Sequence, residues 1–142
     1  MEHTYDIADA LGLNISPRTP LAVAKKIKDG LPLSSLERLS KAIAPNDTSF
    51  TYRFVPRATL NRRKNTAQPK LTVEEGNLVA QIAKVWEFAV EIYRDEEKAR
   101  RFLNRPHPML ENQKPIDVAM ETTVGVDIVV NLLCRAAYGG AA

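Results

Sequence analysis

Apolar residues recur along this chain at intervals of three and four, the spacing of one helical face. Ile7, Ala8 and Leu11 predict a short opening helix, which Pro17 and Pro20 interrupt. Leu21, Ala24 and Ile27, with Val23 beside them, predict a second helix closed by Gly30. Leu33, Leu36, Leu39 and Ile43 predict a third, with Ser34 or Ser35 as N-cap and Pro45 as its stop. Asn46 to Ser49 reads as a turn. The Phe, Tyr, Thr and Val residues from Phe50 to Val55 favour a short extended segment. Pro56 suits the first position of a helix running through PRATLNRRKN. The run Asn65-Thr66-Ala67-Gln68-Pro69 has no period and contains a helix breaker, so the domain boundary is placed there.

Beyond that boundary every segment reads as helix. Thr72 and Glu75 have the spacing of a capping box, in which hydroxyl and carboxylate satisfy each other's free amides at a helix start. Behind them Leu78, Val79, Ile82, Val85, Trp86, Ala89, Val90 and Tyr93 form a broad apolar face. Asp95 is placed to cap a helix holding Ala99, Phe102 and Leu103, which stops near Asn104-Arg105-Pro106. A proline-punctuated loop leads to Pro115, which opens a short helix through IDVAM. A last helix carries Val126, Val129, Val130, Leu133 and Ala137 and is closed by Gly139-Gly140. The expected fold class is therefore all-α, with domains at residues 1–68 and 69–142. Each has roughly 70 residues, a size at which a core is marginal, so partner binding is expected to add stability.

Composition narrows the function. The chain has 142 residues, 44% of them hydrophobic and 26% charged, enough to bury a core. It has no run near the roughly 20 apolar residues of a membrane span. The opening MEHTYDIADALG is acidic and lacks the basic start and apolar middle of a signal peptide. A single cysteine, Cys134, excludes an internal disulfide and fits a reducing cytosol. His3, His107 and that cysteine make no structural zinc set, so no metal or cofactor is expected. His107 sits in Pro106-His107-Pro108, where it reads as a rigid loop side chain rather than a general base. The acidic pairs Glu74-Glu75 and Glu96-Glu97 fall in first turns, where they favour the helix dipole. The six glycines have no phosphate-loop spacing, and Trp86 has apolar neighbours that place it in a core. An enzyme is not expected.

Charge separates the halves. Residues 1–68 hold 11 Lys and Arg against 6 Asp and Glu, whereas residues 69–142 hold 9 against 11. Arg53, Arg57, Arg62, Arg63 and Lys64 follow one another with no acid among them. This asymmetry points the front half at a polyanion. Three helices near 20–30, 34–44 and 56–64 suit a helix-turn-helix whose last member enters the major groove of DNA. With Leu60 in the core, Ala58, Arg62 and Asn65 point away, and Thr59 and Asn61 flank them. Arg62 and Asn61 are read as contacts to base edges, since Arg pairs bidentately with guanine and Asn with adenine. Arg57, Arg63 and Lys64 lie nearer the core edge, from which long side chains reach phosphates.

The run VPRATLNRRKN resembles the last helix-turn-helix segment of Xre-type antitoxins, in which Thr-Leu precedes paired arginines. The resemblance strengthens from Leu71 onward, where the chain looks like that family's toxin-binding domain. A helix containing EKA is followed by RFLNRPHPMLENQKPID, where the family usually has Trp-Leu, Asn-Pro or His-Pro, Leu-Gly and Pro-Leu-Asp. Phe102 replaces the usual Trp, and Glu111-Asn112 stands where glycine is common. The resemblance covers roughly residues 53–140. It implies an antitoxin that neutralises a RES-domain, NAD-degrading toxin and represses its own operon by binding operator DNA. It also implies a homodimer within a toxin–antitoxin hetero-oligomer in the bacterial cytoplasm.

In such an antitoxin the C-terminus is a candidate inhibitory element. Gly139, Gly140, Ala141 and Ala142 have almost no side-chain bulk and suit a narrow cleft, with a terminal carboxylate to occupy donors meant for pyrophosphate. Arg135 and Tyr138, one turn apart, are placed to anchor the helix end at the cleft mouth, and Leu132 and Leu133 are assigned to packing. A second class of reading is a stand-alone helix-turn-helix regulator whose helical domain binds a ligand or partner. A third, RNA binding, draws on Phe50, Tyr52 and Phe54 beside Arg53 and Arg57.

Overall fold

The computed structural model describes residues 7–138, and all its regular elements are helical. They are α1 (Ile7–Ala10), α2 (Pro20–Asp29), α3 (Leu33–Ile43), α4 (Arg57–Lys64), α5 (Val73–Tyr93), α6 (Glu96–Leu103), α7 (Pro115–Glu121) and α8 (Thr123–Ala137). Single 3-10 turns lie at Phe50–Arg53 and Pro108–Leu110. The chain divides into two compact units, Met1–Ala83 and Lys84–Ala142, so the division falls inside α5. The first unit thus takes in Pro69 to Ala83, which the sequence reading places in the second domain.

In the first unit α3 supplies the central apolar face, with Leu36, Leu39 and Ile43 wholly buried. Leu11, Leu31, Val55, Leu60 and Val79 are buried with them. Neither Ser34 nor Ser35 caps α3. Pro32 occupies the N-cap position without a side-chain bond, and the Leu33 amide donates to the Pro69 carbonyl at 3.3 Å. Leu71 N–H donates in turn to the Leu31 carbonyl at 2.7 Å. A backbone bridge thus satisfies one of the first-turn amides that have no partner within the helix. Ser35 is buried instead and donates its hydroxyl to the Leu11 carbonyl at 2.8 Å, tying down the segment after α1. Gly30, at φ 104°, ends α2 where an added Cβ would stand 3.2 Å from the Leu71 carbonyl oxygen. Pro20 opens α2, with Thr19 as the cap.

The extended segment expected from Phe50 to Val55 is a 3-10 turn over Phe50–Arg53. Asp47 Oδ1 accepts from the Ser49 amide at 2.9 Å, which tightens the chain ahead of it. The Phe50 and Phe54 rings then meet edge-on at 5.5 Å, both buried. Aromatic pairing four residues apart is a helical arrangement, and it outweighs the β-propensity of the individual residues.

The second unit closes around Trp86, Phe88, Ala89, Phe102, Leu103, Ile116, Val129 and Leu133, all buried. Burial on α5 extends beyond the predicted stripe to Ala83 and Phe88. Arg94, at φ 55°, ends α5, and Asp95 starts α6 by accepting the Glu97 amide at 2.8 Å. Thr122 alone separates α7 from α8, and its hydroxyl accepts the Gly125 amide at 2.8 Å. Those helices pack so closely that a Cβ on Gly125 would sit 2.0 Å from the Val118 carbonyl oxygen. Glu111 and Asn112, where the resembled family favours glycine, lie at φ 54° and 64°, the left-handed region in which glycine is least strained.

Candidate functional site

Two exposed surfaces carry the residues singled out by sequence. The first is α4. Leu60 is its one buried residue and docks the helix on the first unit. Arg57, Ala58, Asn61, Arg62, Lys64 and Asn65 are exposed, and Thr59 is half-buried. Pro56 stands at the N-cap rather than inside the first turn. The Arg57 guanidinium lies 5.5 Å from the centre of the Tyr52 ring, and that of Arg53 lies 5.7 Å from Phe50. Such stacking holds a cation while leaving its charge outward.

Arg63 differs from its neighbours. Its guanidinium donates to the Glu75 carboxylate in a close ion pair, with both side chains largely buried. The same carboxylate accepts the Thr72 amide at 2.8 Å, and Thr72 Oγ1 accepts the Glu75 amide at 3.2 Å. The capping box read from sequence therefore also fixes α4 to the start of α5. Burial acts to raise the Glu75 pKa, but the bonds from Arg63 and Thr72 outweigh it and hold the carboxyl below its ordinary 4.5.

The second surface is α8. Gly125, Val129, Leu132 and Leu133 face the core. On the other side Val124 is 65% exposed, Ile128 43% and Tyr138 86%. Asn131 and Arg135 are also exposed and share the spacing of that stripe. Arg135 Nη1 lies 4.0 Å from Sδ of Met109, itself 57% exposed. Arg135 and Tyr138, named from sequence, are thus exposed, and Val124, Ile128 and Met109, which that reading did not single out, are exposed with them. The signal for Val124 and Ile128 was two apolar residues four apart on a helix whose other stripe already fills a core. Gly139, Gly140, Ala141 and Ala142 lie outside the described residues.

His107 Nδ1 accepts the Met109 amide at 3.1 Å, and its own backbone pairs with Gln113 and Asn112. It is a loop-organising side chain, as its proline neighbours suggested. Phe50 and Phe54 are buried and cannot stack on bases. Among the described residues no group of three or more His, Cys, Asp or Glu converges to hold a metal ion, and no helix is long and apolar enough to cross a membrane.

A compact helical unit that buries one stripe of its last helix and exposes an apolar second one has the form of a protein-binding module. Residues 88–139 match the model of the antitoxin Xre/MbcA/ParS C-terminal toxin-binding domain. The match supports an Xre-type antitoxin and a role in a toxin–antitoxin system, in a domain family that is typically non-catalytic. No curated protein matches the chain.

Proposed function

We propose that this protein is the antitoxin of a type II toxin–antitoxin pair, neutralising a RES-domain NAD-degrading toxin by binding it and occluding its active site. The observation that carries this reading is the exposed stripe of Val124, Ile128 and Tyr138 inside the segment that matches a toxin-binding domain. Arg135 and Tyr138 anchor the contact, and residues 139–142 enter the cleft. Repression of its own operon is the second activity, carried by α4 with Arg62 and Asn61 at base edges, Thr59 beside them, and Arg57 and Lys64 at phosphates. Arg63 acts here by setting α4 against α5 through Glu75. The functional division runs at residues 68/69, and the protein works in the bacterial cytoplasm as a homodimer within the toxin complex.

Co-expression with a RES-domain toxin encoded beside it tests the reading. The full chain should restore cellular NAD, and removal of residues 139–142 should give back part of the NADase activity without loss of DNA binding. Undiminished NADase activity in the presence of equimolar folded full-length chain would overturn the neutralisation claim.

A further inference from the structure

A separate cavity lies in the second unit, between the end of α5, α6 and the loop that follows. It holds about 230 Å³. Its walls are Tyr93, Phe102, Pro106 and His107, and its polar lining is Lys98, Arg101 and Arg105, with no carboxylate among them. The Tyr93 and Phe102 rings stand 5.7 Å apart and tilted by 41°, and the Phe102 and His107 rings stand 6.2 Å apart and edge-on at 69°, which gives a stepped aromatic lining. None of the three cationic side chains makes an ion pair or hydrogen bond with the described residues.

Two acids at the start of α6 are already engaged. Asp95 accepts the Glu97 and Lys98 amides at 2.8 and 3.4 Å, and Glu97 lies 3.6 Å from Arg100. The Arg100 carbonyl in the last turn of α6 is taken by Asn104, through its amide at 3.1 Å and its Nδ2 at 2.8 Å. One acceptor that would repel an anion at the helix end is thereby occupied. His107 uses Nδ1 as an acceptor, which leaves Nε2 as the ring's donor. Burial pushes the Tyr93 phenol above its ordinary 10.0, so it stays a neutral donor.

Three unopposed cations beside an aromatic wall match a ligand with a doubly charged anion and a flat ring. We propose that this cavity binds a phosphate monoester that carries a planar ring, the chemistry of a nucleoside monophosphate. The phosphate lies against Arg101, Arg105 and Lys98, and the ring lies along Tyr93 and His107. A carboxylate on a rigid ring would satisfy fewer donors, and inorganic phosphate leaves the aromatic wall unused.

Nuclear magnetic resonance titration of the isotope-labelled full chain tests this, with AMP, adenosine and inorganic phosphate as separate probes. AMP should give saturable shifts at the His107 ring with half-saturation below about 1 mM, and phosphate or adenosine alone should bind about tenfold more weakly or worse. The exposed pair of substitutions Arg101→Ala and Arg105→Ala should weaken AMP about tenfold or more while leaving the spectrum of the first unit unchanged. Absence of saturation with AMP, equal binding of AMP and phosphate, or undiminished binding by the double variant would each overturn the proposal. Because no toxin is present, failure here leaves the antitoxin reading standing.

Discussion

Helices α4 and α8 solve the same problem in opposite ways. Each is anchored through one face and leaves the other exposed. On α4 a single leucine is buried and the open face is basic and polar, whereas α8 buries a full stripe and opens a second that is largely apolar. A charged face attracts at long range and is screened by salt, whereas an apolar face acts on contact and is not. The two surfaces therefore favour partners of different chemistry, and salt separates them. Binding through α4 should fall steeply with ionic strength, and binding through α8, where Arg135 and the chain-end carboxylate add charge to an apolar contact, should fall less.

The largest effect is expected at the support of α8. Gly125→Val puts a side chain where backbone carbonyl already stands, and α7 and α8 cannot both keep their places. A loss of about 4 kcal/mol or more in unfolding free energy should follow, read by denaturant titration, together with loss of neutralisation. Retention of wild-type stability would mean that the α7–α8 contact is looser than described. Ile128→Asp comes next, since it charges the open stripe without touching the core. The toxin complex should weaken by about 2–3 kcal/mol at any salt while the melting temperature holds. Equal toxin affinity would move the contact off α8.

On α4, Arg62→Ala should cost about 1–3 kcal/mol on operator DNA and relax base preference, as read by competition binding. Arg57→Ala should weaken all DNA alike and lower the salt slope by about one unit. If neither variant alters binding to the region upstream of its own operon, α4 is not the reading helix. The smallest effect concerns its support. The folded Glu75 carboxyl is held below 4.5, so its contribution is present above that pH and is lost as the pH falls through the lower folded value. Glu75→Gln should remove about 1 kcal/mol near neutral pH and flatten the acid limb of the stability profile. An unchanged acid limb would show that the Arg63 contact does not stabilise the fold.

What could be read in the sequence is what depends on near neighbours. The Thr72–Glu75 box, the Asp95 cap, Pro115 at a helix start and the leucine spacing of α3 are all interactions within a turn or two, and each stands as read. Once Leu60 was set in the core, the exposure of Arg62 and Asn61 followed from helical period. Tertiary structure decided whatever needed a distant partner. Ser35 turned from a cap into a buried donor because the Leu11 carbonyl lies beneath it, and Arg63 turned from a free cation into a brace because Glu75 comes within reach. The left-handed turn at Glu111 and Asn112 closes the His107–Gln113 pairing, which no local propensity of glutamate would request. Which valines and isoleucines of α8 are buried also depended on where α7 packs. A helical period defines the faces of a helix, but only a neighbour determines which face is covered.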